Sequence, residues 1–276
     1  MFVEPAPAKI NLALHLRRRR ADGYHDLESI FAFTDFGDTL SGEAADALTL
    51  TLSGPTAAGA DVGADNLVLR AGRALAAAAG IATGAALHLE KRIPVAAGLG
   101  GGSADAAAAL RLLNLLWGLN WPLDRLAALA APLGADVPVC VYSQTRFGAG
   151  KGDALSAWPH DGANDPSGTP MLLVNPRVAV PTGPVFAGWD QNDLGPIDPA
   201  LPLGALRNDM TAAAAALQPV IADVLAQLAR VGEATLVRMS GSGATCLALY
   251  PDTAARGRAA AALAGTGWWV CETHII

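Results

Sequence analysis

Four glycines fall within five residues, Gly98-Leu99-Gly100-Gly101-Gly102, inside the stretch "PVAAGLGGGSADAAAALRLL" (94–113). Glycine loses more backbone freedom on folding than any other residue, so a chain that orders four together needs bare main chain there. The preceding "AALHLEKRIP" (85–94) reads as a strand, and the alanine-rich run that follows reads as a helix. A strand, a glycine turn and a helix in that order make an anion site. The first N–H groups of a helix have no partner within it, and the helix dipole is positive there. Glycine lets phosphate oxygens reach those groups without a Cβ in the way. Packing a helix closely needs fewer glycines, so the run reads as a phosphate loop. Ser103 is placed to cap the helix or to turn its hydroxyl towards a ligand or magnesium, and Asp105 suits the positive end of the dipole. Leu110, Leu113 and Trp117 make an apolar stripe, and Gly118 is the expected stop. Two familiar patterns fail. The dinucleotide fingerprint needs a glycine where Ser103 stands, and the one Gly-Lys pair, Gly150-Lys151, is followed by Gly152 and not by Ser or Thr.

Composition narrows the partners. The formal charge is −6, which opposes a nucleic-acid partner because a polyanion requires a basic face. The one basic run, Arg17 to Arg20, reads as a solvated hairpin tip. No apolar run reaches the length of a membrane span, and "MFVEPAPAKINL" lacks the layout of a secretory signal. Three scattered cysteines, Cys140, Cys246 and Cys271, fit a reducing compartment better than a disulfide framework or a zinc site. The expectation is a cytoplasmic protein, and a monomer or a homodimer is equally compatible.

"KINLALHL" (9–16) alternates, with Ile10, Leu12, Leu14 and Leu16 on one face and Lys9, Asn11, Ala13 and His15 on the other. With "YHDLESIFAF" (24–33) across a turn containing Asp22-Gly23 it predicts a hairpin. Residues 47–54 read as a strand, 66–80 as a helix stopped by Gly80, and 123–134 as a helix broken near Pro132 and Gly134. Residues 143–170 turn to Gly, Ser, Asp, Asn and Pro, which places a domain boundary near 155. Beyond it follow strands "MLLVN" (171–175) and "RVAV" (177–180), a Pro/Gly-rich stretch at 181–204 and helical runs at 209–231. A strand–turn–strand at 234–250, a helix at 253–264 and a last strand near 268–274 complete the chain. The fold class is α+β, with domains at 1–155 and 156–276.

The stretch "PVAAGLGGGSADAA" resembles the phosphate-binding motif of the GHMP kinases. "MSGSGAT" (239–245) is similar to the third motif of that superfamily. "PAKINLALHLRRRRADGYHDLES" (7–29), "LGADVPV" (133–139) and "FGAGKGD" (147–153) resemble one branch, whose acceptor is a hydroxyl of a cytidine diphosphate-linked polyol. The resemblance implies the two-domain GHMP kinase fold, with an N-terminal domain like the second domain of ribosomal protein S5 and a ferredoxin-like C-terminal domain. It also implies ATP and Mg2+ as cofactors and substrates held between the domains.

Carried over residue by residue, the resemblance makes Lys9 and Asp136 catalytic, Asp136 taking the hydroxyl proton and Lys9 keeping it ionised. By their own sequence setting they are an exposed strand lysine and a turn or cap residue between Gly134 and Pro138. Pro94, Ala97, Gly98, Leu99, Gly100, Gly101, Gly102, Ser103 and Ala104 would hold ATP, with Ser103 near the metal. Asn66 and Asn114 would lie near the adenine, although Asn66 equally suits a helix N-cap. Asn11 would orient the acceptor hydroxyl. Tyr24 and Phe186 would sandwich the cytosine, His25 would read its edge, and Thr182, Gly241 and Ser242 would border the substrate. Phe186 reads without the family as an ordinary core aromatic. The polar segment 155–170 matches nothing in the pattern. A homoserine or mevalonate acceptor would offer these aromatics no base to stack on. A ligand sensor without catalysis is disfavoured because Lys9, Asp136 and the glycine loop are all present. RNA binding by analogy with the ribosomal domain is opposed by the acidic balance.

Overall fold

The computed structural model describes residues 1–60, 63–82, 84–158 and 165–276. Part of the polar 155–170 segment, residues 159–164, therefore lies outside the described residues. The chain forms two compact units that alternate along the sequence. The first comprises Met1–Lys9, Phe36–Val95 and Gly100–Gln144; the second comprises Ile10–Asp35, Ala96–Leu99 and Thr145–Ile276. Position 155 falls within the second unit. No helix among the described residues is long and apolar enough to cross a membrane.

The expected hairpin is present but much longer than the alternation suggests. β1 runs over Phe2–Arg19 and β2 over His25–Ala45. Arg20 and Tyr24 close the turn, with the Arg20 N–H donating to the Tyr24 carbonyl at 2.8 Å. Arg18 and Arg20 pair with Asp26, Arg20 also with Asp22, and Arg17 with Glu28 and Asp193. The basic tip is thus locally neutralised. The polar face of β1 is not exposed: Lys9, Asn11 and His15 are as buried as Ile10 and Leu12. Period two identified the strand but could not show that both of its faces are covered.

In the first unit, β3 (Thr49–Ser53) pairs in parallel with β4 (Gly84–Glu90), and β4 pairs antiparallel with the later part of β2, Thr39 opposite Glu90. α1 (Leu67–Ala79) is capped by the Asn66 side chain and stops at Gly80 in a left-handed conformation, φ 66°. α2 (Gly101–Leu116) ends before Gly118, φ 65°. Its alanines let it be buried on nearly every side, well beyond the predicted stripe: Ala104, Ala106 to Leu110, Leu112 and Leu113 are all inside. Small side chains permit such close approach. A Cβ on Gly42 of β2 would lie 2.7 Å from Leu87 and 3.0 Å from Leu112. α3 (Leu123–Ala130) passes into a 3-10 turn over Ala131–Leu133, as Pro132 and Gly134 lead one to expect, and α4 covers Val137–Tyr142.

In the second unit, β5 (Arg146–Ala149) and β6 (Ala154–Ala157) form a hairpin on the early part of β2. A separate antiparallel sheet has the order β10-β7-β9-β8, built from β7 (Pro170–Asn175), β8 (Leu236–Met239), β9 (Cys246–Leu249) and β10 (Trp269–His274). α5 (Thr182–Ala187), α6 (Thr211–Leu217), α7 (Val220–Arg230) and α8 (Thr253–Ala262) accompany it. Leu172, Val174, Ile221, Val224, Met239 and Tyr250 belong to its apolar core. Residues 177–180, "RVAV", are not a strand, and Arg177 has φ 61°. The alternation there is too short to survive next to Pro176 and Pro181, neither of which can donate to a ladder. The short helix α5 inside the Pro/Gly-rich stretch begins directly after Pro181.

His15 ties this unit internally. Its Nε2 accepts from the Arg207 N–H at 3.3 Å and its Nδ1 lies 3.2 Å from the Gly195 carbonyl. Burial, reinforced by Arg207, holds its pKa below the usual 6.5. The unfolded chain therefore takes up the proton first as pH falls, and the stability is present above about pH 6.5 and lost below it. Thermal melts from about pH 7.5 down to about pH 5.5 should show a falling Tm, with a shallower slope for His15→Gln. An unchanged slope in that variant would remove His15 from the account. His25, also held low, contributes in the same direction.

Candidate active site

The glycine run is split between the two units, and each part is shaped by its own neighbours. In the second unit, Gly98 has φ 77°, and a Cβ there would lie 2.4 Å from the Gly243 carbonyl oxygen. No side chain fits that position. The Thr245 hydroxyl donates to the Ala97 carbonyl at 2.5 Å, and Asn175 Nδ2 donates to the Thr245 oxygen at 2.9 Å. The Asn11 N–H donates to Ser240 Oγ at 3.2 Å, while its Nδ2 donates to Ser29 Oγ at 2.7 Å. Gly241 lies close enough that a Cβ would stand 3.3 Å from Asn11 Oδ1. Asn208 Nδ2 holds the Met239 and Gly241 carbonyls at 2.7 and 2.8 Å. "MSGSGAT" is therefore the support on which the start of the glycine run rests. Ser29, Asn175, Asn208, Ser240 and Thr245 were not singled out from the sequence. Ser29, Ser240 and Thr245 lie within the motifs named above; nothing local marks Asn175 and Asn208.

In the first unit, Gly100 stands before α2 with φ 64° and no side-chain cap is made. The first helical bond runs from the Ala104 N–H to the Gly100 carbonyl, 2.8 Å. The N–H groups of Gly101, Gly102 and Ser103 thus precede any helical acceptor and form the open end of the dipole. Ser103 is inside the helix, so the expected cap is Gly100 instead: a left-handed residue is needed to turn the chain into α2, and serine does not adopt it readily. Ala97, Leu99 and Ala104 are buried, leaving main chain as what they can offer a ligand. Pro94 is half-buried.

Lys9 and Asp136 form an ion pair, Nζ to Oδ2 3.0 Å. Lys9 is only 4% exposed, whereas the Asp136 side chain is 37% exposed. A Cβ on Gly100 would sit 3.2 Å from both Lys9 Cβ and Cε, so the lysine stem lies directly against the glycine that opens α2. Asp136 occupies the N-cap position of α4 without capping it, which leaves its carboxylate for Lys9. Burial pushes the neighbouring Cys140 thiol far up, so it stays protonated and inert.

A second ionic group lies beneath α2. Lys91 Nζ donates to Asp38 Oδ2 and, at 2.6 Å, to Asp105 Oδ2. All three side chains are buried. Burial, against the pull of Lys91 and with Asp38 beside it, pushes the Asp105 carboxyl up to about 8. Burial lowers Lys91, but the two carboxylates outweigh it and its shift is upwards. Asp105 therefore does not face the helix terminus, as its place in the sequence suggested. It is drawn inward by a cation from β4's far end.

The asparagines expected near adenine have structural partners. Asn66 Oδ1 accepts from the Val68 N–H at 2.8 Å, capping α1. Asn114 exchanges two hydrogen bonds with the Trp121 backbone, at 2.9 and 3.1 Å. In the second unit, His25 stacks on Phe186 with centroids 5.0 Å apart and meets Trp189 edge-on at 5.7 Å. Burial and then Arg19 hold the His25 pKa low, so its ring is neutral at pH 7. Tyr24 is 60% exposed, with Lys151 Nζ 4.8 Å from its ring centroid. Phe186 thus stacks on His25, and Tyr24 presents its ring near the hairpin tip. The Thr182 and Ser242 hydroxyls lie 3.0 Å apart. Among the described residues, no group of three His, Cys, Asp or Glu side chains is placed to hold a metal ion.

These features agree with what the chain resembles. Residues 66–144 match the GHMP kinases N terminal domain and residues 189–267 the GHMP kinases C terminal model. A 4-diphosphocytidyl-2-C-methyl-D-erythritol kinase of Rhizorhabdus wittichii is 55% identical over 96% of this chain and 92% of its own. One of Paramagnetospirillum magneticum is 43% identical over 100% and 99%. A crystal structure of a 4-(cytidine 5'-diphospho)-2C-methyl-D-erythritol kinase, 34% identical, superposes with a TM-score of 0.80 over 99% of both chains. A homoserine kinase from Cytophaga hutchinsonii, 18% identical with a TM-score of 0.73, shares the fold. The chain belongs to the GHMP kinases and, within them, to the 4-diphosphocytidyl-2-C-methyl-D-erythritol kinases.

Proposed function

We propose that this protein transfers the γ-phosphoryl group of ATP to the 2-hydroxyl of 4-diphosphocytidyl-2-C-methyl-D-erythritol, a step of the non-mevalonate route to isoprenoid precursors. The observation that carries the reading is the Lys9–Asp136 pair packed against Gly100, at the open end of α2. Phosphoryl transfer asks a protein chiefly to position reactants and balance charge. The N–H groups of Gly101, Gly102 and Ser103 supply donors for the ATP phosphates, and the left-handed Gly98 and Gly100 shape the run that presents them. Asp136 accepts the acceptor hydroxyl's proton as its oxygen bonds to the γ-phosphorus and the bond to the β–γ bridging oxygen breaks, releasing ADP. Lys9 pairs with that carboxylate at 3.0 Å and offsets charge on the transferred group. Asn11, next but one to Lys9 on β1, is held by Ser29 and Ser240 and is suited to orienting a hydroxyl.

Mg2+ on ATP usually takes only one or two protein oxygens, and the Ser103 hydroxyl, not spent as a cap, suits that task. When bound, the ion neutralises charge on the β- and γ-phosphates. Asn66 and Asn114 have both side chain and main chain engaged within the protein, which counts against either as a hydrogen-bonding partner of the adenine. Tyr24, Phe186 and His25 carry base recognition in this reading, and Thr182 and Ser242, whose hydroxyls lie 3.0 Å apart, border the substrate with Gly241. The neutral His25 ring has one donor and one acceptor nitrogen, which suits an amino-pyrimidine edge. Tyr24→Ala should raise KM for the cytidine substrate by about 10-fold, as loss of base–aromatic stacking does, with KM for ATP within about twofold. Equal losses would count against stacking. ATP consumption measured across candidate acceptor alcohols tests the whole reading, which fails if homoserine or mevalonate outperforms the cytidine substrate.

A further inference from the structure

Arginine supplies 16 of the chain's 19 Lys and Arg residues, leaving three lysines: Lys9, Lys91 and Lys151. Lys91 has no part in the chemistry above, yet it is among the most enclosed charges in the first unit. Its ammonium lies between Asp38 and Asp105, and a Cβ on Gly101 would stand 3.5 Å from Nζ. A compact ammonium fits there; a planar guanidinium needs more room. Asp38 does more than balance charge. Its Oδ1 accepts from the Arg92 and Ile93 N–H groups at 2.5 and 2.8 Å. The Lys91 main chain is itself held, its N–H donating to the Ser53 carbonyl at 2.8 Å. The side chain of Ile93 abuts Gly101, 3.2 Å from where a Cβ would be. Asp105 Oδ1 is buried without a partner, so Lys91 is that carboxyl's anchor.

Burying three ionisable groups is costly, and apolar replacements of similar volume are often no less stable. Stability alone therefore gives little reason for the arrangement. What it does provide is one rigid link from residues 91–93, just before the glycine run, to the opening turns of α2 just after it. We propose that Lys91 is a positioning residue for phosphoryl transfer: held by Asp38 and Asp105, it sets the Gly101–Ser103 amides for the triphosphate before nucleotide arrives. Preset donors cost no reorganisation when charge develops, and small misplacements are expensive. The inference rests on the reading that these amides hold ATP.

Asp105→Leu removes the acceptor on α2, and Asp105→Asn keeps an oxygen for Lys91. The leucine variant should lose about tenfold or more in kcat/KM for ATP, with KM for the cytidine substrate within about twofold. The asparagine variant should recover most of that loss. A purely structural role would instead lower Tm and leave the ratio of the two KM values unchanged, which would overturn the proposal. Should the leucine variant not fold, hydrogen exchange on the wild-type enzyme decides. The amides of Arg92, Ile93 and Asp105 are expected to exchange slowly with or without ATP, and protection that appears only with ATP would refute presetting. Gly100→Val separates the two levels. If it leaves KM for ATP unchanged, the loop reading itself fails; if it raises KM while Asp105→Leu does not, only the role of Lys91 fails.

Discussion

Asp136→Asn lowers kcat by about 10²- to 10⁴-fold while both KM values stay within about threefold, the range spanned by removing a general base. Asparagine keeps the shape and one acceptor oxygen, so substrate still docks and Lys9 still has an oxygen 3 Å away in the same geometry. What is lost is a group able to take the hydroxyl proton. The variant also removes the Asp136 charge from beside Lys9, which is 4% exposed. Removing one member of a buried pair is expensive, but the Asp136 side chain is 37% exposed and water offsets much of that cost. A modest fall in Tm is therefore expected beside a very large fall in turnover. Steady-state kinetics with a parallel melt separates the two. If more than about a tenth of wild-type kcat survives, Asp136 is not the base.

The second large effect is on folding. Gly98→Ala should cost about 2–5 kcal/mol: roughly 1–2 for a left-handed non-glycine residue and about 1–3 for overpacking against the Gly243 carbonyl. At this chain length that corresponds to a fall in Tm on the order of 10 °C. Gly102→Ala is the control within the same run. Gly102 lies in α2, has no left-handed φ, and a Cβ there would meet only the Leu67 side chain at 3.6 Å. It should keep or raise Tm, by up to about 1 kcal/mol of helix preference. Thermal melts of the two variants give the answer. Equal destabilisation would mean that the glycines serve the run collectively and not through one close approach.

The contrast between these two glycines shows how far the residues alone carry. Strand, turn and helix around 85–118 were legible because each signal is local: alternation, a glycine cluster, an alanine run and a glycine stop. Gly80 and Gly118 both stand left-handed at helix ends, where no side chain would fit as cheaply. Local signals misled where the deciding neighbour is far away in the chain. Asp105 sits where a dipole partner would, yet Lys91 takes it. Ser103 has the chemistry of a cap, yet Gly100 has the conformation. "RVAV" alternates as a strand does, but nothing offers its main chain a ladder partner between two prolines.

By itself the sequence determined the family and the strand, glycine turn and helix of the phosphate loop, because motif spacing and backbone preference are written in neighbouring residues; Lys9 and Asp136 became candidates only through the family resemblance. Only the tertiary structure decided that Lys9 is buried against Gly100 and paired with Asp136, that Gly98 rests on Gly243, and that Asp38, Lys91 and Asp105 share one enclosed charge cluster. The physical reason is that burial and pairing of polar groups depend on which distant segments meet. Desolvation makes such contacts obligatory once they form, but no local pattern announces them.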